Sequence, residues 1–216
     1  MATPRQAPYV WTTWITRLMA GEAHCEWTAW FRAHHTYDRL PRDFDLTKWT
    51  AEHTAMTREH AAGLRADGYI VFVEEQNAFK LRGQHGVTLA GKPDIVALRD
   101  NAVCVMECKT GLPRGADQLQ VLVYMLILPY VRPAWKRWVW HGRVQYQDHL
   151  IEIPASAVDT QFRALLRRTM EQVGGGAALP RVPSYAECHY CDISRHDCPQ
   201  RIDAPPLDIE PEHDLF

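Results

Sequence analysis

The sequence predicts an α/β protein, a small mixed or antiparallel sheet flanked by helices. Three observations carry this. Two apolar runs, Ile95 to Leu98 and Ala102 to Cys108, are separated only by the polar Arg99-Asp100-Asn101, the pattern of two buried strands joined by a turn. The segment Ala116 to Leu128, apolar almost all round, reads as a deeply buried helix. The 216 residues, 46% hydrophobic and 23% charged, suffice for one well-buried domain, with or without a small appendage.

Taken in order, residues 8–36 read as helical and aromatic-rich, with Trp11, Trp14, Trp27, Trp30 and Phe31. Trp27, Trp30 and Phe31 recur at helical spacing, which favours a core stripe over a base-stacking platform. Pro41 and the polar residues after it break the chain. Asp45 caps a helix from Leu46 to Ala66, closed by Asp67-Gly68. Tyr69 to Glu74 and Ala78 to Leu81 read as short strands, and Val87 to Ala90 leads into the strand that follows Asp94. Beyond the buried helix, Trp138 to Tyr146 and Leu150 to Ile153 form a hairpin around Gln147-Asp148. Ser156-x-x-Asp159 resembles a capping box. It opens an amphipathic helix with Val158, Phe162, Leu165, Leu166 and Val173 on one face, ended by Gly174-Gly175-Gly176. A cysteine-rich segment completes a domain of residues 1–202, and the acidic, Pro-rich residues 203–216 are expected to form a disordered tail.

Composition narrows the role. No apolar run approaches the ~20 residues of a membrane helix, and the opening MATPRQAPYVWTTW lacks the apolar core and cleavage site of a signal peptide. A cytoplasmic protein without a membrane partner is expected. There, six cysteines read as metal ligands or free thiols, not as a disulfide framework. A formal charge of −2 argues against tight nonspecific binding of duplex DNA, although bound cations can offset charge locally.

The chemistry is concentrated in Gly91 to Tyr124. Asp94 precedes the first apolar run and Glu107 sits near the end of the second. Glu107 and Lys109, two residues apart, project to the same side of a strand. A carboxylate and an ammonium on a buried strand carry a desolvation cost that a purely structural strand avoids. Two carboxylates beside a lysine are what a hard divalent cation and an activated water require. Cys104 and Cys108 fall on the opposite face and read as small buried hydrophobes. Cys188-x-x-Cys191 followed by Cys198 is different, since three thiols in one short segment can close around a metal. A fourth ligand must come from elsewhere, and Cys25 is the candidate outside the strand. Zinc and an iron–sulfur cluster both suit such a set.

Pro93-Asp94 with Glu107-Cys108-Lys109 resembles the PD-(D/E)XK nuclease superfamily. Gln120-x-x-x-Tyr124 after the lysine is similar to its RecB-like branch, which includes the CRISPR-associated adaptation nucleases. The resemblance spans about residues 20–200 and implies a restriction-endonuclease-like core. It also implies a Mg²⁺- or Mn²⁺-dependent deoxyribonuclease acting on single-stranded DNA ends. In such a site Asp94, Glu107 and the carbonyl of Cys108 hold the cation, and Lys109 orients water or stabilises developing charge. Gln120 and Tyr124 help hold the catalytic strand and the substrate. A histidine ligand on the preceding helix is implied as well; His53 is favoured over His60 on the same face.

One cysteine before the core and three after it is the layout of the RecB-like nucleases that carry a cluster, and the resemblance implies a 4Fe–4S cluster on Cys25, Cys188, Cys191 and Cys198. The six residues between Cys191 and Cys198, looser than the family's spacing, leave zinc as the alternative. Two other functions stand beside the enzyme: a DNA-end-binding subunit of a larger DNA-processing complex, and a zinc-stabilised nucleic-acid-binding module. The latter explains the cysteines but not Glu107-Cys108-Lys109. Glu74 and Glu75 have no assigned role, and Arg82, Lys92, Arg114 and Arg143 are candidates for phosphate contacts by proximity alone.

Overall fold

Strands form where β-branched and aromatic residues run together, and helices where apolar residues recur every three or four positions. The computed structural model describes residues 2–41, 45–83 and 85–206. Its N-terminal part comprises β1 (Thr3–Pro4), β2 (Tyr9–Trp11), α1 (Thr12–Met19), α2 (Glu26–His34), β3 (His35–Thr36) and α3 (Leu46–Ala66). Then come β4 (Ile70–Val73), β5 (Phe79–Arg82), β6 (Thr88–Gly91), β7 (Ile95–Arg99), β8 (Ala102–Cys108) and α4 (Gly115–Val131). The chain continues through β9 (Val139–Gln145), β10 (Leu150–Ile153), α5 (Thr160–Gly174) and α6 (Tyr185–His189). Among the described residues, no helix is long and apolar enough to cross a membrane.

The central sheet has five strands in the order β10-β9-β8-β7-β4. β7 and β8 pair antiparallel through the Asp100-Asn101 turn, where both residues have positive φ, as a two-residue hairpin turn requires. β8 and β9 run parallel, with α4 as the crossover between them. The period-two alternation of β7 and β8 divides their side chains between two cores. Val96, Leu98, Val103 and Val105 pack with Val121, Tyr124, Met125 and Leu128 of α4. Ile95, Ala97, Cys104, Met106 and Cys108 pack with Met56, Ala61 and Leu64 of α3. Gly142 lets α4 lie close across β9, since a Cβ there would stand 2.3 Å from Val121 Cγ1.

Three expectations need correction. Residues 8–36 are not continuous helix: Tyr9–Trp11 forms a strand parallel to β6, and a loop with Gly21 at φ +69° separates α1 from α2. Val87 to Ala90 does not join the central sheet. β6 lies with β2 and β5 in a separate three-stranded sheet, because Gly91-Lys92-Pro93 carries the chain away before β7 begins. The cap of α5 is Asp159, whose carboxylate accepts from Phe162 N at 2.7 Å, while residues 155–157 form a 3₁₀ turn. Asp45 caps α3 as expected, accepting from Lys48 N at 2.9 Å. Of the expected break after Pro41, residues 42–44 lie outside the described residues. So do residues 207–216 of the expected tail, and residues 203–206 carry no helix or strand.

The two ends of the chain meet. Asp192, 3% exposed, accepts from both Arg32 Nη2 at 2.6 Å and Tyr37 Oη at 2.9 Å. Leu40 N donates to Asp192 O, Trp27 N to Pro180 O, and His24 N to a Glu187 carboxylate oxygen. Trp27 and Phe31 are buried with Ile193, and the Trp30 indole donates to Gly175 O at 2.9 Å, so this stripe is core. The cysteine-rich segment is therefore docked on α2 by groups other than its thiols.

Candidate active site

The β7–β8 register brings the two carboxylates together. Ile95 is paired with Met106, so the next position sets Asp94 opposite Glu107. Asp94 is 7% exposed and Glu107 2%. The backbone around Asp94 is held from outside the strand. Asn77 donates its amide to Pro93 O at 3.2 Å, and Glu74 N donates to Asp94 O at 2.9 Å. Asp94 Oδ2 accepts from Cys108 N at 2.8 Å and lies 3.1 Å from His53 Nε2. Glu107 Oε2 accepts from Lys109 Nζ at 3.2 Å, while Glu107 Oε1 is buried without a partner.

Lys109 is the hub of a second group. Its ammonium donates to Gln120 Oε1 at 3.0 Å and stands 3.8 Å from Asp117 Oδ1. Gln120 in turn donates to Tyr124 Oη at 3.0 Å, one turn along α4. Gly91 permits this packing: a Cβ there would stand 2.6 Å from the Tyr124 ring and 2.8 Å from Phe79. His53 is thus brought to the carboxylates. The ring of His60, two turns further along α3, makes no hydrogen bond or ion pair among the described residues.

The electrostatics split the carboxylate pair. Burial opposes ionisation of Asp94, but the His53 hydrogen bond and charge, the Cys108 amide and Lys109 bring it below the ordinary carboxylate range. Burial first, and then the Asp94 charge, push Glu107 well above that range. Burial would lower Lys109, but Glu107, Asp117 and Asp94 outweigh it and keep the ammonium protonated. Burial holds Tyr124 as a neutral phenol. It also raises Cys104 to about 11 and Cys108 to about 12, so both are inert thiols, as their place on the α3 face suggested.

A divalent cation suits this donor set. Two adjacent carboxylates, one with a buried and unpartnered oxygen, form a site for which protein donors alone leave a deficit. Even so, no three His, Cys, Asp or Glu side chains among the described residues stand already grouped as an ion's ligands. Asp94 Oδ2 is taken up by His53 and Cys108 N.

Sequence reasoning missed several residues that the fold brings in. Asp117, in the first turn of α4, contacts Lys109 and accepts from Tyr146 Oη at 2.9 Å. Glu22 accepts from Ala116 N at 3.0 Å and so caps α4 from 94 residues away. Asn77 looks like any loop asparagine. Of the basic candidates, Lys92 is paired with Glu75 at 2.8 Å and Arg143 with Glu152 at 3.0 Å. Arg82 and Arg114 make no ion pair among the described residues.

Cys25, Cys188, Cys191 and Cys198 line one small pocket, with Thr28, Arg181 and Arg201 on its walls. The Thr28 hydroxyl donates to Cys25 Sγ at 3.4 Å and stands 3.9 Å from Cys191 Sγ. Four soft sulfur donors around one pocket fit a zinc ion or a cluster in kind, although they too are not drawn into an ion-holding group.

A comparison with curated proteins returns no match. Among solved structures, the crystal structure of SSO0001 is similar at 13% identity, covering 88% of this chain and 85% of that one, with a TM-score of 0.38. That distance carries no argument. The family comparison is specific: residues 12–198 match the PD-(D/E)XK nuclease superfamily, a span that includes both carboxylates, the lysine and all four pocket cysteines. The mixed sheet between α3 and α4 is consistent with a restriction-endonuclease-like fold. With Asp94 and Glu107 opposed across a hairpin and Lys109 at its end, this chain belongs to the PD-(D/E)XK nuclease superfamily.

Proposed function

We propose that this protein is a Mg²⁺- or Mn²⁺-dependent deoxyribonuclease acting on single-stranded DNA ends, similar to the RecB-like branch. The observation that carries this reading is the pair Asp94–Glu107, buried together with one Glu107 oxygen unpartnered and Lys109 bonded to the other. Asp94, Glu107, His53 and the carbonyl of Cys108 would hold the cation. When bound, it supplies charge neutralisation on the phosphate and an activated water. Lys109, kept protonated, presents a positive charge to the developing negative charge on the phosphate. Gln120 fixes that ammonium from one side and is itself fixed by Tyr124. In the absence of the cation, His53 orients Asp94.

The reading extends to a 4Fe–4S cluster on Cys25, Cys188, Cys191 and Cys198, supported by the four sulfurs around one pocket. Its role would be structural, since Asp94, Glu107 and Lys109 are not among the residues lining that pocket. A place in a larger complex, such as one for CRISPR adaptation or a helicase–nuclease, belongs to the same resemblance.

The decisive experiment incubates end-labelled single- and double-stranded DNA with purified protein in Mg²⁺, Mn²⁺ or EDTA. Cleavage of single strands that EDTA abolishes, and that Asp94→Ala, Glu107→Ala and Lys109→Ala each abolish, is the expected result. Wild-type turnover in any of the three variants would remove that residue from the mechanism. Iron analysis and visible absorption of anaerobically prepared protein test the cluster, and one zinc with no iron would replace it.

A further inference from the structure

We propose that residues 110–114 form a clamp on the substrate strand, with Leu112 wedged between two of its bases and Arg114 on a phosphate; this rests on the nuclease reading. The loop leaves the site directly from Lys109, whose backbone N donates to Gln145 O at 2.8 Å. It ends at α4, where Asp117 N donates to Arg114 O at 3.2 Å and Ala116 N to Glu22 Oε1 at 3.0 Å. Both anchors belong to the site, since Lys109 bonds Glu107 and stands 3.8 Å from Asp117 Oδ1. Leu112 Cα therefore lies within about 11 Å of Lys109 Cα. Of His53, Asp94, Glu107, Lys109 and Asp117, the lysine is the most open to solvent, at 23% against 3% for Glu107. A strand approaching from solvent meets that ammonium first, with the loop beside it.

Neither side chain is engaged by the fold. Leu112 is 85% exposed, more than any other large apolar side chain among the described residues, and it joins none of the buried clusters. Arg114 is exposed, and its guanidinium makes no ion pair or hydrogen bond among the described residues. A solitary exposed leucine needs no explanation, but this one is followed by Pro113 and a free arginine at the edge of the site. Leucine and proline are among the side chains that wedge between base steps, and arginine grips phosphate through two parallel N–H donors. Lys92 near the site is already paired with Glu75, and the chain carries a formal charge of −2, so attraction of phosphate has to be local. Wedging parts two stacked bases. That costs little in a single strand and more in a duplex, so the clamp favours single strands.

The test measures binding without cleavage. A fluorescently labelled single-stranded DNA oligonucleotide is titrated with the full chain in EDTA at several salt concentrations, and anisotropy gives the affinity. Arg114→Gln is expected to lower the slope of log affinity against log salt by about 0.7, the share of one phosphate contact on a single strand. Arg82→Gln removes the same charge from the end of β5 and should leave the slope at its wild-type value. Leu112→Ala should weaken binding about tenfold at every salt concentration, as partial burial of its side chain on the strand requires. Leu112→Met should keep most of the affinity. Unchanged affinity in Leu112→Ala, an unchanged slope in Arg114→Gln, or an equal fall of the slope in Arg82→Gln overturns the clamp. Cleavage in Mn²⁺ is read separately: a clamp without any metal-dependent cleavage would sink the nuclease reading alone, and cleavage by a chain whose variants bind as wild type would sink only this inference.

Discussion

A buried carboxylate oxygen without a partner costs on the order of 1–3 kcal/mol, more when charged, and Glu107 carries one. In metal-free protein burial and then Asp94, through its charge and a shared hydrogen bond, raise the Glu107 pKa and favour the protonated form over a wider pH range. The folded state then holds a proton that the unfolded chain releases above about pH 4.3. The sign follows: stability from this group is present below that pH and is lost as pH rises toward the folded pKa. Glu107→Gln, which mimics the protonated acid, should flatten that decline in thermal melts run in EDTA. The same variant should no longer be stabilised by added Mn²⁺. A wild-type Mn²⁺ response in Glu107→Gln would remove Glu107 from the ligand set. Asp117 acts at the same scale, through Lys109. Asp117→Asn keeps an acceptor for Tyr146 but removes the charge beside the ammonium, and is expected to lower kcat about tenfold with the KM for DNA unchanged. A rise in KM with kcat intact would show instead that Asp117 serves binding.

At the scale of elements, the site depends on how closely α4 approaches the sheet. Gly142 on β9 leaves no room for a methyl group, with Val121 Cγ1 at 2.3 Å and Met125 Sδ at 2.8 Å from the position of its Cβ. Gly142→Ala should push α4 outward and cost about 1–3 kcal/mol, as overpacking does. It should also disturb Gln120, the neighbour of Val121 on α4, and so reduce activity. Adding Val121→Ala should restore part of the melting temperature. A double variant no more stable than Gly142→Ala would place the damage elsewhere. The β7–β8 hairpin matters in the same way, because a one-residue slip in its register would send Glu107 to the α3 face.

At the scale of the whole molecule, the docked ends rest on a buried ion pair. Removing one partner of such a pair leaves the other charge uncompensated, so Asp192→Ala is expected to cost about 3–5 kcal/mol in denaturant unfolding. Burial opposes ionisation of Asp192, but Arg32, Tyr37 and Arg39 outweigh it and lower its pKa. Its contribution is therefore present above the unfolded value of about 3.9 and lost as pH falls through the folded one. Acid melts of wild type and Asp192→Ala should converge below that range, and parallel curves would exclude the pair as the cause.

The sequence by itself determined the two strands, their turn, the helices on either side and the placement of Asp94, Glu107 and Lys109 at the strand ends. Each is written in local pattern, in alternation, spacing and caps, which short-range sterics and burial enforce. His53 was singled out through the resemblance to the RecB-like branch, and the fold brings its ring to Asp94. What the tertiary structure alone decided is long-range. Asn77 braces Asp94, Glu22 caps α4, Tyr146 holds Asp117, and Asp192 fastens Arg32. None of these pairings has a periodic signature, because the partners are joined by packing across sheets and not by position along the chain. The strand at Tyr9–Trp11 and the separate sheet of β6 were missed for the same reason: a short strand owes its existence to the neighbour it pairs with, and that neighbour is chosen by the fold.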